Sequence, residues 1–159
     1  SFSDHYRITH DDAIEAIAAP SHRVHTTNQG IFQILAGWSN HYRTWFGVDN
    51  FHPLLLRYED MVHNPIKTFG KFTKFLGLPK NPERLRRAIK NSSFNEVSSQ
   101  ETVTGFSERS RPDQKFFRAG KVGGYKSILS EAQIAKIIKA HGELLFEKGY
   151  ITKSGRPKF

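Results

Sequence analysis

The chain has 159 residues and a formal net charge of +9, because 24 lysines and arginines outnumber 15 aspartates and glutamates. This length allows one domain with a substantial core. The absence of cysteine excludes a disulfide scaffold, an iron–sulfur centre, a thiolate zinc site and a cysteine nucleophile. No apolar run approaches the roughly 20 residues of a transmembrane helix, so we expect no membrane span. The isoelectric point of about 9.9 favours an anionic partner: a nucleic acid, an anionic membrane surface, or a phosphorylated or sulfated small molecule.

The first predicted elements are two helices separated by a polar loop. Thr9 and Asp12 have the spacing of a capping box, and Pro20 should end the helix that they begin. Apolar and aromatic side chains then recur at helical spacing from Ile31 onwards, which predicts a helix over residues 31–46.

A strand is predicted next, at residues 54–58. This short apolar run directly follows Pro53, which is the pattern of a strand buried on both faces in a parallel sheet. One such strand cannot stand alone, because its backbone and both faces need neighbours. We therefore expect either that the chain is part of a larger α/β domain or that a second chain completes its sheet.

Most of the remaining chain is predicted to be helical. Asn-Pro pairs at Asn64 and Asn81 begin two helices, and Ser130 begins the last helix with a capping-box pattern. Residues 91–124 have few periodic apolar positions, so they are predicted to form a long functional loop. The basic tail after Tyr150 is predicted to be frayed.

The segment 109–126 is strongly basic and contains glycines. Glycines let backbone N–H groups approach an anion closely, and a guanidinium can bind it with two hydrogen bonds. The pattern indicates a phosphate or sulfate site, although a solvated, flexible basic loop is the alternative. The single anion of the segment is Asp113, and its six cations are Arg109, Arg111, Lys115, Arg118, Lys121 and Lys126.

Four short motifs follow one another along the chain: Tyr-Glu-Asp-Met at 58–61 before Asn64-Pro65, Phe-Leu-Gly at 75–77, Ser-Ser-Phe at 92–94, and the segment 117–126. In this order and spacing they resemble the C-terminal half of the sulfotransferases that use 3′-phosphoadenosine 5′-phosphosulfate (PAPS). The resemblance runs from about Gly37 to Tyr150. It implies an α/β fold, part of a P-loop-like three-layer parallel-sheet domain. Residues 1–159 would be the C-terminal half of that single domain, mostly helical with one clear strand.

The same resemblance implies a binding site for PAPS and its product 3′-phosphoadenosine 5′-phosphate (PAP). Arg118 would pair with the 3′-phosphate, which backbone N–H groups around Ala119 and Gly120 would also bind. Ala119 stands where the family has a lysine, which removes one positive charge. Phe94 would pack on the adenine. The other implied contacts are Tyr58 with the base, Ser92, Ser93 and Val97 around it, Phe116 and Phe117 in the wall of the pocket, and Ser1 with the 3′-phosphate.

The resemblance also shows what this sequence lacks. It contains no glycine-rich loop for the 5′-phosphosulfate and no histidine that matches the family's base, so the catalytic residues are unknown. We expect the isolated chain to be incomplete and inactive. The acceptor would be a small molecule or saccharide with a hydroxyl or amine, the N-terminal half of the domain or a second chain would complete the sheet, and the location would be cytoplasmic.

Two other interpretations are open at this point. A non-catalytic basic module could bind nucleotides or nucleic acid, but the aromatic residues lie at helical core spacing or flank one glycine loop, which argues against nucleic acid. The histidines His22 and His25 could suggest a metal site. They lie in a loop without a carboxylate, so we expect no metal there.

Overall fold

The computed structural model describes residues 8–21, 23–24, 33–34, 36–108 and 115–159. Within these residues none of the helices has the length and apolar character that crossing a membrane requires. A 3₁₀ turn lies at Gly124–Ser127. The described elements in chain order are α1 His10–Ala18, β1 Arg23–Val24, β2 Gln33–Ile34, α2 Trp38–Phe46, α3 Tyr58–His63, α4 Pro65–Phe75, α5 Pro82–Asn91, α6 Phe94–Thr104 and α7 Glu131–Glu147.

The chain divides into two compact units. The first unit contains Ser1–Pro53 and Tyr125–Phe159, and the second contains Leu54–Gly124. Helices α1, α2 and α7 therefore belong to the first unit, and α3 to α6 belong to the second. In the first unit β1 and β2 pair antiparallel, with Arg23 opposite Ile34.

The first unit is built on the packing of α1 and α2 against α7. Both predicted capping boxes are confirmed. At α1 the N–H of Asp12 donates to Thr9 Oγ1 at 3.1 Å, and at α7 the N–H of Gln133 donates to Ser130 Oγ at 3.3 Å. Caps of this kind stabilise a helix by about 1 kcal/mol each. The apolar core of this unit includes Leu144 of α7.

A buried histidine joins α1, α2 and α7. His141 is 5% exposed, and its Nε2 lies 2.9 Å from the carbonyl oxygen of Ile17. A carbonyl only accepts hydrogen bonds, so Nε2 carries the proton and donates it. Nδ1 is then the acceptor for the hydroxyl of Ser39, 2.8 Å away. His141 interrupts the apolar stripe of the last helix in the sequence, which predicts a hydrogen-bonded core or boundary histidine, and this prediction is confirmed.

The predicted helix over residues 31–46 is wrong in its first half. The helix α2 begins only at Trp38, and Gln33–Ile34 form the strand β2. Two backbone features prevent an earlier start. Ala36 has a positive φ of 53°, and Gly37 lies so close to α1 that a Cβ there would be 2.5 Å from the carbonyl oxygen of Ala19.

In the second unit, the helices α3 to α6 each pack on the next. Both Asn-Pro helix starts are confirmed, since α4 begins at Pro65 and α5 at Pro82. Only the second asparagine caps its helix with its side chain, because Asn81 Oδ1 accepts the N–H of Arg84 at 2.9 Å.

The strand predicted at residues 54–58 is not formed. Residues 51–57 have neither helix nor strand, and Tyr58 already begins α3. A strand needs a hydrogen-bonded neighbour, and the described residues offer none at this segment. A local ion pair favours the helix instead. The guanidinium of Arg57 donates two hydrogen bonds of 2.7 Å to the carboxylate of Asp60, across the first turn of α3. The predicted three-layer parallel sheet is therefore not seen in the described part of the chain.

Two further predictions are corrected. The long loop predicted over residues 91–124 contains the three-turn helix α6, whose polar sequence hides its helical period. The tail after Tyr150 is not frayed, because Ile151 is 5% exposed and forms a β-bridge with Pro157. The hydroxyl of Tyr125 also donates to the carbonyl of Phe159 at 2.8 Å, which fastens the end of the chain.

Candidate functional site

The candidate site lies in the second unit, where residues 116–121 meet α6. We call this segment the basic loop. Its first two residues are held by the carboxylate of Glu101, which is 1% exposed. Glu101 Oε1 accepts the N–H of Phe116 at 2.6 Å, and Oε2 accepts the N–H of Phe117 at 2.9 Å. A buried carboxylate is tolerated only when it is hydrogen-bonded, so these contacts fix the start of the loop against the helix.

A cluster of three aromatic rings adds a second attachment. Phe106, just after α6, lies 4.7 Å from Phe116 and 5.1 Å from Phe117 between ring centroids. The two loop rings meet each other edge to face at 5.1 Å. Such aromatic pairs contribute about 0.5–1.5 kcal/mol beyond the area that they bury. Lys115 Nζ also donates to Thr102 Oγ1 at 3.2 Å.

The far end of the basic loop touches the first residue of α6. Gly120 has a positive φ of 57°, and a Cβ at this position would lie 2.2 Å from Cδ2 of Phe94. Only glycine satisfies both the backbone conformation and the close approach of the ring. Phe94 and Gly120, which the sequence places in one predicted site, are therefore in direct contact.

The other predicted residues of the site lie near this contact in the chain. Arg118 and Ala119 are exposed, between the residues held by Glu101 and the glycine held against the ring. Val97 is half-buried, one turn further along α6. Ser92 and Ser93 are exposed at the junction of α5 and α6, and the side chain of Ser93 makes no capping hydrogen bond.

One described residue of the predicted site, Tyr58, is not joined to the basic loop by a described contact. Tyr58 is 44% exposed at the start of α3, and within the described residues no ring contact or hydrogen bond joins it to Phe94 or to the basic loop. Ser1 lies outside the described residues, as do Arg109 and Arg111 of the basic segment.

Histidine-based metal binding has no support in the part of the chain that the structure describes. No three histidine or acidic side chains converge there. His22 and His25, the pair considered from the sequence, are both outside the described ranges.

The sequence interpretation missed Glu101, although a signal exists. Phe94, Val97 and Glu101 are spaced i, i+3 and i+7, so they share one face of a helix. A carboxylate on the apolar face of a helix indicates a buried, hydrogen-bonded group. The prediction of a loop over residues 91–124 conceals this helical spacing.

The chemistry that this arrangement allows is anion binding. A positive-φ glycine next to ordinary residues turns successive N–H groups toward one side, which makes a concave site for an anion. Within the described residues, the N–H groups of Ala119 and Gly120 donate to no other group of the chain. The Arg118 side chain adds a positive charge beside them.

The first unit carries a separate apolar cleft. It has a volume of about 480 Å³ and is open to solvent. The rings of Trp45 and Phe51 lie 6.0 Å apart in it. The cleft is lined by Thr44, Trp45, Val48 and Phe51.

The sequence matches the family described as the sulfotransferase domain over residues 5–149. Its relatives include sulfotransferase 2A6 of Rattus norvegicus, 33% identical over 113 residues, and flavonol 3-sulfotransferase of Flaveria bidentis, 32% identical over 110 residues. These alignments cover 67% and 63% of this chain, but 39% and 35% of the relatives. The chain thus spans about two fifths of the length of the curated relatives it matches.

The fold is also similar to that of a solved sulfotransferase. The crystal structure of mouse sulfotransferase SULT7A1, complexed with PAP, superposes with a TM-score of 0.59. The superposition covers 97% of this chain and 54% of that chain, with 21% sequence identity. At this identity the likeness shows the fold.

Proposed function

This chain belongs to the sulfotransferase domain family, and from that premise we propose that it binds the nucleotide part of PAPS and PAP in a sulfuryl-transfer enzyme. The observation that carries the proposal is the contact between Phe94 and Gly120, at the end of a loop that Glu101 fastens to α6. A basic, glycine-containing loop beside an aromatic ring provides the two groups that a phosphorylated nucleoside requires.

In this proposal the 3′-phosphate binds to the basic loop. Arg118 pairs with it, and the N–H groups of Ala119 and Gly120 donate hydrogen bonds to its oxygens. Since Ala119 carries no charge, Arg118 is the main cationic partner. A charge-assisted hydrogen bond of this kind contributes about 1.5–3 kcal/mol.

The adenine binds beside the loop. Phe94 packs on the base, and Val97, Ser92 and Ser93 border the pocket. The resemblance to the family further implies that Tyr58 contacts the base and that Ser1 contacts the 3′-phosphate. Phe116 and Phe117, the first two residues of the basic loop, form one wall of the pocket. Glu101 and Phe106 hold them in place.

Transfer itself requires groups beyond those in this sequence. The acceptor, a small molecule or saccharide with a hydroxyl or amine, attacks the sulfur of PAPS in line. The bond to the acceptor forms as the bond to the phosphate oxygen breaks, and PAP leaves. The sequence contains no glycine-rich loop for the 5′-phosphosulfate and no matching base. We therefore expect the isolated chain to show no turnover with labelled PAPS, and rapid transfer by it would contradict this division of roles.

The remainder of a sulfotransferase domain, or a second chain, would supply those groups. Support comes from the apolar side chains that the second unit exposes on α3 and α4. Val62, Ile66 and Phe75 are 44%, 48% and 54% exposed, and contact with further parts of a domain would remove this apolar surface from water. Residues 1–159 would then be the C-terminal half of one domain.

A non-catalytic nucleic-acid-binding module is not favoured. Binding to single strands uses exposed aromatic platforms in a basic groove. Here the rings of Phe94, Phe116 and Phe117 all flank one short loop instead of following a groove, and the family match names a transferase domain.

The test is to map the binding site by nuclear magnetic resonance. PAP and adenosine 5′-monophosphate, which lacks the 3′-phosphate, are titrated into the ¹⁵N-labelled chain. We expect PAP to shift the amide signals of Arg118, Ala119 and Gly120, and adenosine 5′-monophosphate to leave these three nearly unchanged while perturbing the start of α6. Shifts scattered over all exposed lysines and arginines would refute a specific site.

A further inference from the structure

We infer that Glu101 is a positioning residue for the anion site, acting on the ligand only through the backbone of the basic loop. This inference rests on the proposed function. Its carboxylate holds the N–H groups of Phe116 and Phe117, the two residues that immediately precede Arg118. These two hydrogen bonds thus fix the position and the direction, relative to α6, of the segment that would bind the 3′-phosphate.

The choice of a carboxylate at this place is informative. Glu101 is the largest side chain buried almost completely among the described residues, and burying a charge costs free energy even when it is hydrogen-bonded. An apolar side chain would fill the same space without that cost. What a carboxylate adds is two fixed acceptors for two successive N–H groups, which an apolar side chain cannot provide.

The negative charge of Glu101 makes the expected change in anion affinity opposite to the change that simple electrostatics predicts. A negative charge beside an anion site repels the ligand, so simple electrostatics predicts that removing it tightens anion binding. If Glu101 positions the loop, removing its carboxylate loosens Arg118 and Gly120 and weakens binding instead. The two effects oppose each other, and one titration distinguishes them.

Two variants of Glu101 remove the positioning in different ways. In Glu101→Gln the amide oxygen can accept one N–H, but the amide nitrogen is a donor and faces the second N–H. Glu101→Asp keeps the charge, but it is one methylene shorter and cannot hold both N–H groups in the present geometry. The matched control is Glu96→Gln, because Glu96 is an exposed carboxylate on the same helix and, within the described ranges, accepts a hydrogen bond only from Gln100, at 3.1 Å.

The experiment measures the affinity of PAP and of adenosine 5′-monophosphate for the chain and its three variants by calorimetry. For both Glu101 variants we expect the affinity for PAP to fall about tenfold or more, the effect of a charge-assisted hydrogen bond. The affinity for adenosine 5′-monophosphate should change little, so the ratio between the ligands falls. Glu96→Gln should bind PAP as tightly as the unaltered chain, or slightly tighter.

Amide spectra of the same samples report the loop directly. The signals of Phe116 and Phe117 should move upfield in both Glu101 variants and stay in place in Glu96→Gln. If Glu101→Gln does not fold, Glu101→Asp carries the test with the same expectations.

Three outcomes would overturn the inference. The first is tighter PAP binding by Glu101→Gln, the second is unchanged PAP binding by both Glu101 variants, and the third is an equal loss for both ligands, which would indicate a general structural role. In each of these the unaltered chain still prefers PAP, so the proposed function stands. If the unaltered chain itself shows no preference for PAP, the proposed function fails and the inference fails with it.

Discussion

Replacing Gly120 with alanine tests the contact on which the proposed nucleotide site depends. The substitution has two costs. A residue with a Cβ in the left-handed region costs about 1–2 kcal/mol. The new Cβ would also lie 2.2 Å from Phe94 Cδ2, with the other near ring atoms at 2.7 Å, so the ring must move, and overpacking of this kind costs about 1–3 kcal/mol. We expect Gly120→Ala to lower the free energy of unfolding of the second unit by about 2–5 kcal/mol.

A control variant at Gly105 separates the cost of backbone strain from the cost of the collision with Phe94. Gly105 also has a positive φ, 75°, but a Cβ there would meet nothing within 4 Å. Gly105→Ala should therefore cost only the conformational part, about 1–3 kcal/mol, because φ 75° with ψ −176° is a backbone region that essentially only glycine adopts. In the double variant Phe94→Ala, Gly120→Ala the collision is absent, so the second substitution should cost no more than Gly105→Ala does.

The assay is urea unfolding followed in two ways, together with calorimetry of PAP binding. Both tryptophans, Trp38 and Trp45, lie in the first unit, so their fluorescence reports that unit, whereas circular dichroism reports both. Gly120→Ala should move the dichroism transition, leave the fluorescence transition in place and weaken PAP binding. An equal cost of Gly120→Ala in the presence and in the absence of the Phe94 ring would refute the close contact with Phe94.

Three other substitutions give independent checks. Arg118→Ala should weaken PAP binding by about 1.5–3 kcal/mol and leave the binding of adenosine 5′-monophosphate nearly unchanged, and equal losses in calorimetry would contradict the phosphate assignment. Ser39→Ala leaves the buried Nδ1 of His141 without its donor, so it should lower the stability seen by tryptophan fluorescence by about 1–3 kcal/mol, whereas a neutral result would show that the bond is dispensable. The hydrogen bonds from Arg57 hold the pKa of the Asp60 carboxyl below its ordinary value of 3.8, so this pair stabilises the fold above that pH and the contribution is lost as the pH falls through the lower folded pKa. Arg57→Gln should therefore shrink the difference in stability between pH 6 and pH 3 in urea unfolding, and an unchanged difference would exclude the pair as a contributor.

The helix ends were predictable because their signals are local. Thr9 with Asp12, Ser130 with Gln133 and the Asn81-Pro82 pair each depend on atoms within four residues, and the structure confirms all three. Such signals do not depend on what the rest of the chain does.

The errors have a common physical cause in tertiary context. The apolar run at residues 54–58 has the composition of a buried strand, but a strand forms only with a paired neighbour, and here the Arg57 to Asp60 ion pair favours the start of α3. In the same way, α2 begins only at Trp38 because Ala36 has a positive φ and Gly37 is extended, which no local pattern announces.

The same distinction between local and tertiary signals applies to the candidate site. Arg118, Gly120 and Phe94 belong to short motifs that the sequence displays, and the structure brings Phe94 and Gly120 into contact. Glu101 lies 15 residues before Phe116, so its role depends on how a helix and a loop meet in space. A pattern search in one segment could not reveal it.

Recognition of the nucleotide's 3′-phosphate by this chain can be tested by comparing two isomers. PAP and adenosine 2′,5′-bisphosphate have the same composition and the same charge, and they differ only in the position of one phosphate. Calorimetry at two salt concentrations should show that PAP binds at a single site at least about tenfold more tightly, as expected when one charge-assisted pair is lost. The preference should persist at the higher salt concentration. Equal affinities that fall together as salt is added would show only nonspecific attraction to a basic protein and would contradict the account.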